Sequence, residues 1–201
     1  MLLRDKLKDA TREAHEALDT RLALTRDDVS FKRYVSYLCH LLAFYRPLSE
    51  RLSAAGRTAP LSANCESRVA WLEEDLAFFD IEDRGDSASI EFLPSVTGAS
   101  EVLGVSYVVE GSALGARALY ATLHARWRIE QHRGGSFLFG YGAETGRRWH
   151  GFVAALNAVE LDPQEESRCI AAACQTFAGL ASWFAHNGWT GQRRDRCVSS
   201  G

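Results

Sequence analysis

Residues 103–119 read LGVSYVVEGSALGARAL, and the reading of this stretch decides what kind of molecule the chain builds. As a helix it carries glycines at positions 104, 111 and 115, spaced seven and then four apart, so all three share one face. A glycine inside a helix costs about 0.5–1 kcal/mol relative to alanine, roughly 2–3 kcal/mol for three by simple addition. The usual offset is close approach to the bare backbone by another helix or a flat ligand, or a bend that opens a cavity. Tight helix–helix packing is one reading; a backbone-exposed, bent helix facing a ligand is the other. A membrane dimer face is excluded, because Glu101, Glu110 and Arg117 bracket a short apolar run and a span needs about 20 apolar residues. The run from Gly111 to Gly115, GSALG, does not match the G-x-S-x-G of a nucleophile elbow. Nor is it the G-x-G-x-x-G that follows a strand in dinucleotide-binding units.

The 201 residues, 46% hydrophobic and 24% charged with a net charge of −3, suit one domain with a substantial core. This charge balance does not point to nucleic acid. Residues 1–9, MLLRDKLKD, lack the continuous apolar region of a signal peptide, and no segment is long enough to span a bilayer; the expected location is the cytoplasm. Cysteines at 39, 65, 169, 174 and 197 are odd in number and scattered, against a disulfide framework or structural zinc site. Four prolines and long patterns of period 3.6 predict an all-α, single-domain, multi-helical protein.

Leu7, Thr11, His15, Leu18 and Leu22 form one stripe, predicting a first helix over 2–22 with His15 on or at the edge of its buried face. The second helix is expected over 29–55, kinked at Pro47 and ended by Gly56, and the third over 64–79. Residues 80–89 read as a polar, mobile connection and 90–94 as an extended segment packed on the core. The glycine helix starts near Gly98 and runs to about Trp127–Glu130. In HRGGSFLFGYG (132–142) the glycines lack the Lys-Ser/Thr of a phosphate loop; Phe137, Phe139 and Tyr141 wall a pocket or pack on the core. A fifth helix is expected over 143–159. The last opens with Asp162 as N-cap, Pro163 at the first helical position and Glu165 closing a capping box, and ends near His186. Residues 1–187 would form the domain and 188–201 a disordered tail.

A histidine on an apolar stripe is ordinarily a hydrogen-bonded core residue. His15, however, has Asp19 one turn on, within reach of a ring nitrogen. A metal-ligating histidine typically donates its second N–H to such an acceptor. Lys8 and Arg12 place two cations along the same side, so a ligand there would be metal-bearing and anionic; without the histidine they read as a solvated face.

Taken together, three blocks carry a resemblance. LKDATREAHEALD (7–19) resembles the proximal-helix motif of haem oxygenases, with the histidine in the iron-ligand position. GVSYVVEGSALGAR (104–117) resembles the distal helix of the bacterial branch, and FLFGYG through RRW (137–149) the segment after it. The resemblance implies a helical fold that sandwiches haem between the first helix and a kinked glycine helix. It also implies cleavage of haem to biliverdin, iron and carbon monoxide, with molecular oxygen and an external electron donor. His15 would be the axial ligand and Asp19 its acceptor, with Lys8, Arg12 and Arg148 (Arg147 beside it) near the propionates. Gly111, Ser112 and Gly115 would be the distal, catalytic positions. Several family members carry an aspartate where Ser112 stands, and a second glycine where Ala116 stands. The first departure motivates the alternative of a non-catalytic haem carrier or sensor on the same fold. A haem-free enzyme on the same fold, acting on a small organic molecule or using a di-iron centre, ranks lower, because the paired carboxylate and histidine spacings of a di-iron bundle are absent. Implied partners are a reductase or ferredoxin as donor and a bilin-binding photoreceptor as product acceptor, with no nucleic acid or membrane.

Overall fold

A computed structural model describes residues 1–55, 61, 63–82 and 86–189. Among them are seven α-helices and no strand: α1 (Leu3–Leu22), α2 (Phe31–Ala55), α3 (Cys65–Phe78), α4 (Ala99–Trp127), α5 (Ser136–Phe139), α6 (Thr145–Ala158) and α7 (Pro163–His186). No helix among these residues is long and apolar enough to cross a membrane.

The all-α expectation holds, and the helix starts follow local chemistry. α2 begins at Phe31 rather than Val29 because the Ser30 hydroxyl accepts from the Arg33 amide at 3.2 Å, satisfying one of the first turn's free donors. α3 begins after Asn64, whose side chain accepts from Ser67 N. The capping box at Asp162 and Glu165 forms, with Pro163 opening α7.

Pro47 lies inside α2, and the helix runs on through it. Proline has no N–H, so the Ala43 carbonyl four residues earlier loses its helical partner. The Ala88 amide supplies the replacement at 2.8 Å, and Ala88 is buried. The expected mobile connection is therefore docked at its far end. The expected extended segment after it is also corrected: Ile90–Phe92 is one turn of 3₁₀ helix. Ile90 is 76% exposed, while Phe92 packs on the Trp183 and His186 rings. Gly56 and residues 190–201, where a helix end and most of a tail are expected, lie outside the described residues. Trp189, just before them, is buried and takes the Arg33 guanidinium on its ring at 4.1 Å.

α7 is the axis of the molecule. α1 runs alongside it in the same sense: Lys6 pairs with Glu166, Cys174 donates to the Ala10 carbonyl, and Arg21 donates to the Trp189 carbonyl. α4 does the same on another side, from Glu101 beside Arg168 to Gly104 beside Cys169 and Ala173. α2 and α3 run antiparallel, held by Arg46–Glu73 and Ser53–Glu66 contacts. α5 docks through Asp75, whose two carboxylate oxygens accept from the Ser136 and Phe137 amides at 2.7 and 2.9 Å.

Candidate functional site

The three glycines of α4 share a face but not a fate. A Cβ on Gly104 would collide with the Cys169 carbonyl and come within 3.1 Å of Ala173 N. That glycine serves helix–helix packing. A Cβ on Gly111 would meet the Trp149 ring of α6 at 3.5 Å, and one on Gly115 would meet nothing within 4 Å. The stripe begins as a packing contact and ends as bare, exposed backbone.

α1 and α4 approach each other at Thr11 and Tyr107, whose side chains face one another, while the Thr11 hydroxyl donates to the Leu7 carbonyl at 2.8 Å. Burial of Tyr107 raises its hydroxyl above the usual tyrosine range, keeping it neutral. Because both helices advance along α7 in the same sense, His15 lies one turn past that contact on α1 and Gly111 one turn past it on α4. Trp149 touches both Tyr107 and Gly111. α6 itself is tied to the start of α1, where the Arg4 amide donates to Asn157 at 3.1 Å.

His15 is at the edge of the apolar face, its side chain 54% exposed, with Nδ1 3.3 Å from Asp19 Oδ2. Its ring meets Phe177 of α7 edge-on, 5.4 Å between centroids at 81°. With Nδ1 directed at Asp19, Nε2 is the ring nitrogen turned away from it. Leu3, Leu7, Thr11 and Leu18 take the buried positions of α1. Lys8 and Arg12 are exposed on its outer side, Arg12 at 3.9 Å from Asp9. Arg147 pairs with Glu144, and Arg148 lies 3.9 Å over the Tyr141 ring. Ser112 turns its hydroxyl inward: Oγ donates to the Val109 carbonyl at 2.7 Å and stands 3.5 Å from the Tyr45 hydroxyl.

A flat apolar disc with one metal and two carboxylates needs an exposed nitrogen ligand, a surface without side chains and a cationic edge. The exposed His15–Asp19 pair, the open position at Gly115 and the basic side chains of α1 and α6 fit those requirements. Phe137 and Tyr141 pack inward rather than walling a pocket: Phe137 is 3% exposed and lies against Tyr45, and Tyr141 lies against Trp71. Tyr107, Trp149 and Phe177 join the candidate site only in three dimensions. Each is one helical turn or one contact from a candidate, but aromatic residues on a core face carry no mark of their role.

The family model described as "Heme oxygenase" matches residues 1–186. The fold is similar to the haem oxygenase of Neisseria meningitidis seen in NO- and CO-bound crystal structures: TM-score 0.74, 22% identity, covering 97% of this chain and 95% of that one. It is also similar to the haem oxygenase of Leptospira interrogans: TM-score 0.68, 19% identity, covering 92% of this chain and 100% of that one. A search of curated proteins finds no match. With its family match spanning nearly the whole helical array, the chain belongs to the haem oxygenase family.

Proposed function

We propose that this protein is a haem-degrading enzyme that opens haem to biliverdin, releasing iron and carbon monoxide, with electrons from an external reductase or ferredoxin. The observation that carries the reading is an exposed imidazole beside a carboxylate, His15 with Asp19, one turn beyond the contact from which α4 presents Gly111 and Gly115.

Haem, when bound, supplies the iron at which oxygen is activated and the ring that is opened. The residues of the chain supply position. Asp19 Oδ2, 3.3 Å from His15 Nδ1, favours the proton on that nitrogen and so leaves Nε2 as the basic one that would bind iron. Phe177 keeps the imidazole upright by its edge contact. Lys8, Arg12 and Arg148 offset the two carboxylate charges at the slot's rim, and Arg148 is steadied by the Tyr141 ring. Gly115, where a Cβ would meet nothing within 4 Å, would leave room for oxygen at bound haem, while Trp149 closes the space over Gly111.

The test is conversion. Haem-reconstituted protein, given excess reductant under air, is expected to lose its haem absorption and yield biliverdin by chromatography. A second reading, a haem carrier or sensor, is favoured by Ser112: its hydroxyl is spent on the Val109 carbonyl instead of presenting an acid to the slot. Bound haem that persists unreacted through the same experiment would overturn the enzyme in favour of the carrier.

A further inference from the structure

Arg68, on the first turn of α3, is completely buried. Its Nη2 donates to the Val109 carbonyl at 3.2 Å, whereas Nε and Nη1 are buried with no hydrogen-bond partner. The Tyr141 hydroxyl is also buried and unpartnered, and its ring lies 5.5 Å from the guanidinium, as does that of Trp71.

The surroundings are short of acceptors and of negative charge. Among the described residues, no carboxylate stands within ion-pair distance of Arg68. Glu110, the acid that acts on the same groups, accepts instead from the Asn64 amide at 3.3 Å. The Cys65 thiol beside Arg68 is pushed up to about 12 by burial, so it is neutral and offers an S–H. The Tyr45 hydroxyl, likewise raised by burial, is neutral too. A guanidinium cannot shed its proton, and a buried charge without a counter-charge is strongly unfavourable. Water would satisfy the N–H groups but leave the charge uncompensated.

We infer that Arg68 and Tyr141 form a buried receptor for a small monovalent anion of chloride size, between α3, α4 and the segment that follows α5. Trp71 and Tyr141 flank the guanidinium, and a single small anion would accept from Nε–H or from Nη1–H, which diverge on either side of Cδ, with the Tyr141 hydroxyl as a further donor. The site is separate from the haem reading and holds whether the protein is an enzyme or a carrier. It would join two parts of the molecule. The Val109 carbonyl that takes Arg68 Nη2 also takes Ser112 Oγ, and the Tyr141 ring carries Arg148.

The experiment is thermal unfolding of the full, haem-free chain, titrated with sodium chloride or bromide against sodium gluconate at constant ionic strength. The midpoint is expected to rise saturably with either halide. In Arg68→Met the response should vanish, and in gluconate this variant should be at least as stable as the parent, since it removes an uncompensated charge. Tyr141→Phe, which keeps the guanidinium, should weaken the halide midpoint severalfold and covers the case in which the Arg68 variant fails to fold. Crystals grown in bromide should show an anomalous peak within hydrogen-bonding distance of Arg68. A parent protein whose midpoint follows ionic strength but not anion identity would overturn the inference, as would bromide crystals with only water at Arg68. Either outcome leaves Glu110 as the counter-charge.

Discussion

At the scale of single residues, His15 is the most legible position in the chain, and its legibility came from company. Alone, a histidine on the stripe of Leu7, Thr11 and Leu18 reads as core; with Asp19 at i+4 and two cations on its side it reads as a ligand. The structure gives that spacing its geometry, a 3.3 Å approach and an exposed ring. Because the side chain is half exposed and, among the described residues, its ring contact is the edge of Phe177, His15→Ala should change the stability of the haem-free protein by less than about 1 kcal/mol. It should abolish normal axial ligation, read as loss of the imidazole-type absorption spectrum on adding haem. Unchanged spectra would move the ligand to another histidine. Arg68 is the opposite case. It sits in the buried stripe of α3 with Cys65, Leu72, Asp75 and Leu76. A periodicity of apolar residues passes over a buried cation. The 65–68–72–75 spacing was the available signal.

At the scale of elements, α4 shows why a motif can be found and still be half understood. Three glycines on one face predicted close approach, but a helix face is long, and what lies opposite changes along it. The sequence has no way to express that α7 covers the first glycine and that, among the described residues, nothing covers the last. The difference is measurable within one helix. Gly104→Ala sets a methyl against the Cys169 backbone, which cannot move aside without parting α4 from α7, and overpacking of this kind costs about 1–3 kcal/mol. Gly115→Val meets open space, and replacing a helical glycine recovers a few tenths of a kcal/mol. Haem-free stability should therefore fall for the first variant and stay level for the second, by thermal or urea unfolding. Turnover should behave the other way for Gly115→Val: haem still binds through His15, but the valine methyls occupy the oxygen's space and ring cleavage falls sharply. A destabilised Gly115→Val protein with normal turnover would make the whole stripe a packing device.

At the scale of the whole molecule, the helices were legible and the ties between them were not. Hydrophobic period announces a helix; it says nothing of the Ala88 amide that completes α2 at Pro47, or of the carboxylate that fastens α5 to α3. Asp75 is that carboxylate. Its two oxygens take the free amides of Ser136 and Phe137, holding the segment that leads to Tyr141 and Arg148. Burial raises its pKa from 3.8 to about 6, partly opposed by those two amide hydrogen bonds. A raised folded-state pKa means that the folded protein holds the proton more tightly than the unfolded chain. The group's contribution to stability is therefore fully present below the unfolded pKa and is lost as pH rises through about 6. Linkage puts the gain on going from pH 7.5 to 5 at roughly 1.4 kcal/mol. Asp75→Asn removes the titration while keeping one acceptor oxygen, and is destabilised at every pH because its amide faces a backbone N–H that needs an acceptor, a cost of about 1–3 kcal/mol. The informative quantity is the gap between parent and variant in urea unfolding, which should widen in the parent's favour as pH falls from 7.5 to 5. A gap that narrows over that range would mean that the two amides hold Asp75 ionised against its burial. The tie between α3 and α5 would then be an anchored carboxylate with no proton to exchange near neutrality.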